Sequence, residues 1–283
     1  MESIAVVGGG TMGTGIAYVS AQSGADVIVV EPDEGRAAIL LETIKQAAAD
    51  GIKRGKLDDY QARGLIERVR PEDSVNNLPE GLDLVIETIP ERLELKHSVL
   101  RQIANRRPKI IGTNTSALSI DSLASVVPEP ECFLGMHFFN PVWSIRLVEL
   151  IRGKHTSEDT LESARAFVTQ LGKESLTVLD VPGFATSRLD LIASLEAMRM
   201  VESGVASAED IDRAAVLAYR HPVGPLRLSD IVGLDVRLDI SRALEREHGS
   251  RFAPPPILIE MVERGELGEK SGRGFFNWPE QKT

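Results

Sequence analysis

This chain predicts an α/β domain over residues 1–183 followed by an all-helical domain over residues 184–283. Three observations carry that prediction. A glycine-rich turn stands between a short apolar strand and a helix near residue 8. Further short apolar runs recur to about residue 180 at the spacing of sheet strands. From Ser187 on, the apolar residues switch to helical spacing. The length, 283 residues, exceeds the usual size of one domain, and 42% hydrophobic residues are enough for two cores.

In the segment SIAVVGGGTMGTG, Ile4 to Val7 is a strand and Gly8, Gly10 and Gly13 spell GxGxxG. The helix that follows runs to about Ser23, where Gly24 stops it. A second strand, Asp26 to Val30, ends at Glu31. Strand, glycine turn, helix, strand and acid at this length form the dinucleotide fingerprint of a Rossmann-like domain. Gly8 permits the tight turn, Gly10 lets a pyrophosphate approach the backbone, and Gly13 lets the helix lie on the sheet. Thr11 and Met12, between the last two glycines, are cofactor-binding candidates with them. The helix N-terminus faces the phosphates. A carboxylate at Glu31 accepts hydrogen bonds from the ribose hydroxyls and repels a 2'-phosphate. Pro32 and Asp33 follow it, so NAD is expected rather than NADP. Arg36, one helical turn on, is expected to face water.

A long helix is predicted over about Asp33 to Gly51 and a shorter one after Asp58. Between them Lys53, Arg54 and Lys56 form a compact basic group. It reads either as a solvated helix end or as counter-charge for an anionic ligand. Leu82 to Thr88 and Lys109 to Ser116 read as further sheet strands. Ligands of open α/β sheets bind beyond the carboxyl ends of strands, where Glu87, Asn114 and Ser116 fall.

FLGMH, Phe133 to His137, and LVELI, Leu147 to Ile151, are two more strands, with Asn140 and Pro141 in the connection. A lone histidine in an apolar strand often does no more than satisfy one backbone carbonyl. Antiparallel pairing about this connection, however, sets His137 and Glu149 opposite each other, roughly 5 Å apart at Cβ. A carboxylate beside an imidazole fixes its tautomer and favours the imidazolium, which is how a general base is built. Thr177 to Phe184 reads as a last strand and a turn.

The helical domain is predicted to hold helices over Ser187 to about Ser203, Ala208 to Ala218 and, despite Gly233, most of Leu226 to Glu247. A short helix follows Pro254 to Pro256 and ends near Arg264, and the tail returns to coil. Such a domain behind a dinucleotide-binding one suggests a substrate lid and a dimerisation surface.

Composition narrows the function classes. A formal net charge of -10 argues against nucleic acid or an anionic membrane as partner. No apolar run is long enough to span a bilayer. Met1 leads directly into the first strand, which leaves no room for a signal peptide, and the single Cys132 cannot form an internal disulfide; a cytoplasmic location is expected. The five histidines show no metal-site spacing, so no metal is expected.

Over nearly its whole length the chain resembles the short-chain L-3-hydroxyacyl-CoA dehydrogenase family, which includes the bacterial 3-hydroxybutyryl-CoA dehydrogenases. The resemblance rests on VVGGGTMGTGIA, VIETIPERLELK, TNTSALSI, GMHFFNPV, LVELI, VPGFATSRL, HPVGPLRLSDIVGLD and GEKSGRGFF, in that order. It implies that His137 is the catalytic base and Glu149 the acid that orients it. It implies that Ser116 contacts the substrate oxygen and the nicotinamide region, and that Glu91, Lys96, Asn140 and Lys270 lie near NAD. It places the Lys53, Arg54 and Lys56 group where family members hold the CoA phosphates, and it implies a homodimer through the helical domain. Two positions depart from the family pattern. Ser187 stands where an asparagine commonly binds near the substrate carbonyl, and Arg220 stands where glycine is common.

The expected activity is NAD-dependent oxidation of an (S)-3-hydroxyacyl-CoA, such as 3-hydroxybutanoyl-CoA, to the 3-oxoacyl-CoA. Two rivals remain: a dehydrogenase of a free 3-hydroxy acid, of the carnitine or gulonate type, and a non-catalytic NAD-binding protein.

Overall fold

The computed structural model describes residues 1–279 and divides into two compact units, Met1–Val181 and Pro182–Thr283. The first unit is built on one eight-stranded sheet in the order β3-β2-β1-β4-β5-β6-β7-β8. Its strands are β1 (Ser3–Val7), β2 (Asp26–Val30), β3 (Val69–Glu72), β4 (Leu84–Glu87), β5 (Ile111–Thr113), β6 (Phe133–Phe138), β7 (Leu147–Arg152) and β8 (Glu174–Leu179). All neighbours pair parallel except β6 and β7, so the last two strands run against the rest. β1, β4 and β6 are apolar almost throughout and buried on both faces, as a covered parallel sheet requires.

The helices of this unit are α1 (Thr11–Gln22), α2 (Glu34–Lys53), α3 (Asp59–Glu67), α4 (Leu93–Ala104), α5 (Ile120–Ala124) and α6 (Glu158–Gln170). The chain sets their starts with local side-chain chemistry. Asp33 caps α2 by accepting from Arg36 N–H, and Asp58 and Gln61 form a reciprocal capping box on α3. Strand order reverses between β1 and β4, and the glycine turn lies at that switch point, where open α/β sheets bind ligands.

Four of the labelled elements escaped the sequence reading, each for a physical reason; α5, at five residues, is too short to show a helical period. β3 is a four-residue edge strand of sequence VRPE, whose proline suits an edge but hides the strand signal. The helices α4 and α6 are amphipathic and mostly polar; α4 buries only Lys96, Leu100 and Ile103.

The second unit packs α7 (Thr186–Glu202), α8 (Ala208–Tyr219), α9 (Pro225–Val232), α10 (Leu234–His248) and α11 (Pro256–Glu263) around Leu191, Leu195, Met198, Leu226, Leu234 and Leu258, all fully buried. The helix expected to continue through Gly233 is two helices. Gly233 has φ 104°, a left-handed value that ends α9, and α10 starts at the next residue. Nor is the tail plain coil. Asp230, 1% exposed, accepts from the backbone N–H groups of Phe275 and Phe276 and from Trp278 Nε1, while Arg227 lies 4.4 Å from the Phe276 ring centre.

Candidate active site

At the end of β1 the chain turns sharply. Gly8 has φ 113°, and a side chain there would meet Thr88. A Cβ on Gly13 would fall 1.9 Å from the Gly8 carbonyl oxygen, so only glycine lets α1 start this close to the strand. Gly10 is the N-cap of α1 and offers no side-chain cap, and the first turn holds no acid. The first N–H groups of α1 therefore lack any local side-chain acceptor, and a Cβ on Gly10 would meet nothing within 4 Å. An uncapped helix N-terminus opening onto free space fits a pyrophosphate. A cavity of about 700 Å³ lies over this turn, lined by Gly8 to Met12, Glu31, Val75, Thr88 and Leu95 among others.

Glu31 closes one side of that cavity. Its carboxylate accepts from Gly9 N–H and Asp33 N–H, each at 3.1 Å. Arg36 faces water as expected, 66% exposed, and also sets its guanidinium 2.9 Å from Glu31 Oε1. The pairing has a simple cause. Arg36 sits in the first turn of α2, whose start is fixed beside Glu31 by the Asp33 cap, and the buried carboxylate draws the cation inward.

Beyond the ends of β4 and β5 lies a polar network that the motif reading did not foresee as a unit. Lys96, 1% exposed, donates to both oxygens of Glu87 at 2.7 and 2.9 Å, and to the Ile89 carbonyl at 3.1 Å. Its ammonium is also 3.2 Å from Glu91 Oε2. Thr113 donates to Glu87, and Thr115 Oγ1 together with the Ser116 and Ala117 N–H groups donates to Glu91. Burial alone would raise the Glu91 carboxyl, but Thr115, Lys96 and the Ser116 N–H together hold it below its ordinary value. Lys96 is thus engaged inside the protein, with Glu87, Glu91 and the Ile89 carbonyl. The Ser116 side chain is exposed at the strand end.

On the next strands, His137 lies directly opposite Glu149 in the antiparallel ladder, and Nδ1 is 2.8 Å from Glu149 Oε2. The imidazole is 8% exposed and the carboxylate fully buried. Glu149 reaches the imidazole because both residues occupy facing positions on the same side of the pleat. Asn114 Oδ1 accepts from Phe138 N–H at 2.8 Å, tying the end of β5 to the histidine strand. The Phe139 ring lies 4.4 Å from the imidazole, centre to centre.

The connection that follows, with exposed Asn140 and a cis bond before Pro141, is held from below. Lys173, 8% exposed, donates to the Val142 and Ile145 carbonyls at 2.5 and 2.6 Å, and burial lowers its pKa. On the other side, Val142 packs against Gly15 of α1 and Trp143 meets Tyr18 edge-on at 6.0 Å. The only sequence signal for Lys173 was a cation opening a strand after LG.

The basic group sits elsewhere in the unit. Lys53 is the last residue of α2 and pairs with Asp50 at 3.2 Å, and Arg54 is its C-cap. Lys56 lines a cavity with Gln22, Gly24 and Asp26, at the amino end of β2, whereas Glu31 follows its carboxyl end. A groove of about 600 Å³ runs along α2 from Ala38 to Asp50, with Trp143 on its wall. Ser187 and Lys270 belong to the second unit. Ser187 is half-buried in the first turn of α7, and Lys270 donates to both oxygens of Asp235 at 2.5 and 2.6 Å. Arg220 is a left-handed residue at the C-cap of α8. Among the described residues no cluster of three or more His, Cys, Asp or Glu side chains is placed to hold a metal ion.

Residues 3–181 match the NAD binding domain model of 3-hydroxyacyl-CoA dehydrogenase, and residues 183–278 match the C-terminal domain model of the same enzyme. The chain is 37% identical to a 3-hydroxybutyryl-CoA dehydrogenase of Mycobacterium tuberculosis, over 98% of this chain and 99% of the relative. It is 37% identical to a probable 3-hydroxybutyryl-CoA dehydrogenase of Bacillus subtilis, over 100% and 99%. Its fold superposes on the crystal structure of (S)-3-hydroxybutyryl-CoA dehydrogenase from Ralstonia eutropha with a TM-score of 0.94, at 37% identity over 99% of this chain and 100% of that one. With both domain models matched in order and relatives aligned end to end, the chain belongs to the 3-hydroxyacyl-CoA dehydrogenase family and is an NAD-dependent oxidoreductase.

Proposed function

We propose that this enzyme oxidises the 3-hydroxyl of short-chain (S)-3-hydroxyacyl-CoA esters, of which 3-hydroxybutanoyl-CoA is the simplest, with His137 as general base. The single observation that carries the reading is the buried His137–Glu149 pair at 2.8 Å, on a strand three places along the sheet from β1, whose end carries the glycine turn. Donation from Nδ1 to Glu149 places the imidazole lone pair on Nε2. Nε2 takes the proton of the C3 hydroxyl, and Glu149 stabilises the imidazolium as it forms. The uncapped α1 N-terminus and Glu31 would hold NAD, which would supply the hydride acceptor for C3. Glu91, kept ionised by Thr115, Lys96 and Ser116 N–H, fixes the turn that presents the Ser116 hydroxyl to the substrate oxygen. Lys173 anchors the connection bearing Asn140, which lies near NAD in the same reading.

The basic group at the end of α2, Lys53 with Arg54 next, supports a CoA ester over a free acid. Those cations offer counter-charge to the CoA phosphates on an otherwise acidic protein. Ser187 at the substrate carbonyl, Lys270 near NAD and dimerisation through the helical domain are assigned in this reading by the family resemblance alone. The test is a comparison of kcat/KM for acetoacetyl-CoA, longer 3-oxoacyl-CoAs and free acetoacetate, each with NADH. Turnover of CoA esters with the shortest preferred is expected; equal or better turnover of free acetoacetate would overturn the reading.

A further inference from the structure

The turn that follows the histidine strand is held from two sides, and one of its holders is a buried cation. Pro141 closes the turn: its carbonyl accepts from Ser144 N–H at 2.9 Å and from Ile145 N–H at 3.0 Å. The carbonyls of Val142 and Ile145 both accept from the Lys173 ammonium, at 2.5 and 2.6 Å. The end of α6 delivers that lysine. Gly172, with φ 69°, turns the chain out of the helix, and Lys173 N–H donates to the Val168 carbonyl at 3.1 Å. Lys173 is 8% exposed. Burial is what lowers its pKa, and no carboxylate among the described residues offsets the cost of keeping the charge there.

A lysine kept for volume alone would be replaced at less cost by an apolar side chain. What the ammonium adds is a single point that meets two carbonyls at once. The other side of the turn rests on α1. Val142, 2% exposed, fills the space over Gly15, where a Cβ would fall 2.7 Å from the valine side chain. Trp143 meets Tyr18 of the same helix. The turn is thus clamped between α1, whose N-terminus carries the glycine turn, and the lysine that precedes β8. Asn140 stands between this clamp and the end of β6, two residues after Phe138 and one before Pro141. Satisfying the carbonyls asks only for a donor; placing the turn asks that both be met at one point.

We propose that Lys173 is a positioning residue for the hydride transfer: its ammonium, seated on the Val142 and Ile145 carbonyls, fixes the turn against α1 and thereby the place of Asn140 beside the nicotinamide. The proposal deepens the function proposed above and rests on its readings of His137 as base and Asn140 near NAD. Lys173 acts through the backbone of the turn, not on substrate or cofactor. A displacement of about 1 Å in a group that orients the reactants is enough to cost on the order of 100-fold in rate. Dinucleotide binding at the start of α1 does not pass through the turn, so the effect falls on kcat.

The experiment uses the full chain with NAD and 3-hydroxybutanoyl-CoA. Lys173→Met keeps the apolar stem and removes the ammonium. Its kcat should fall roughly 10- to 100-fold, while KM for NAD and for the ester stays within about threefold of wild type. Rates are taken at a temperature where circular dichroism shows the variant fully folded, so that a lower melting temperature does not by itself reduce them. Gly15→Ala disturbs the same turn from the α1 side by pressing on Val142, and should lower kcat in the same manner. The double variant should lose less than the product of the two single losses, because both act on one turn. A folded Lys173→Met protein with wild-type kcat overturns the proposal. So does a loss that falls on KM with kcat unchanged, the mark of a binding contact, and so do losses that multiply in full in the double variant. Where Lys173→Met fails to fold, Lys173→Arg takes its place: it keeps a cation for the carbonyls at a different reach, and should fold and lose kcat. A folded arginine variant with wild-type kcat overturns the proposal in the same way. Full turnover by His137→Gln would instead remove the underlying function, and this role with it.

Discussion

Replacing Glu149 by glutamine removes one negative charge and almost nothing else. The side chain is fully buried on β7, and glutamine matches its volume, so the strand pairing should persist. What changes is the field at His137. The Nδ1 to Oε2 distance is 2.8 Å, which puts the charge centres of an imidazolium and a carboxylate roughly 4 Å apart. At an effective dielectric constant of about 20 such a pair is worth about 4 kcal/mol. The charge on the imidazole exists only once the hydroxyl proton has moved, so most of that stabilisation belongs to the transition state. The expected fall in kcat is then about a thousandfold. With the imidazole 8% exposed, salt should do little to reduce it. The assay is NADH formation from 3-hydroxybutanoyl-CoA, with NAD affinity by fluorescence titration and the fold by circular dichroism. His137→Gln should lose a similar factor, and the double variant should lose far less than the two losses summed, because the pair acts as one unit. A folded, NAD-binding Glu149→Gln protein within a few-fold of wild-type turnover would refute the mechanism.

Four further outcomes are expected. Glu31→Ala should weaken NAD and, by leaving the Arg36 guanidinium without its 2.9 Å partner, relax discrimination against NADP; unchanged NADP/NAD ratios of kcat/KM would count against the pairing having this role. Neutralising Lys53, Arg54 and Lys56 together should raise KM for CoA esters more than it lowers kcat, with a penalty that shrinks at high salt; an unaltered KM would detach the group from the substrate. Ser187→Ala should cost roughly 1 to 2 kcal/mol of transition-state stabilisation, and Ser187→Asn should be tolerated; wild-type rates from the alanine variant with every chain would place the residue outside the site. Asp83, held well below the usual carboxylate range chiefly by Lys109 and then by the Glu2 N–H, ties the start of β1 to the starts of β4 and β5. Because its folded pKa is depressed, its stabilisation is present above the unfolded carboxylate pKa, near 4, and is lost as pH falls below it. Asp83→Asn should therefore lower stability by roughly 1 to 2 kcal/mol at pH 7, and the difference should close in acid melts. A gap that stays constant down to pH 2 would contradict that linkage.

Local chemistry determined much of this protein. The glycine turn was legible because Gly8 needs a left-handed φ and Gly13 cannot carry a Cβ, and both demands are met by residue type alone. The His137–Glu149 pairing was legible too. Two short apolar runs joined by a turn fold back on each other, and the period of two then decides which residues face. Other features required the assembled fold. That Arg36 turns to Glu31 depended on where the Asp33 cap starts α2. That Lys96 is buried beneath Glu87 and Glu91 depended on α4 packing over β4, and nothing in LELK distinguishes a buried lysine from a solvated one. The split at Gly233 was hidden because apolar spacing runs through it on both sides, and the backbone angle at one glycine ends one helix where the next begins. Arg237 is the sharpest case. A sequence reads an arginine in a helix as a surface charge, since burial is a property of neighbours contributed by other segments. Only packing α10 against α7 puts its guanidinium out of water with Asp190 on one edge and no hydrogen-bond partner among the described residues on the other. Residue type and spacing thus fixed the turns and the strand pairing, which are local demands, while the burial and partners of each charge were decided by which distant segments the fold brings around it.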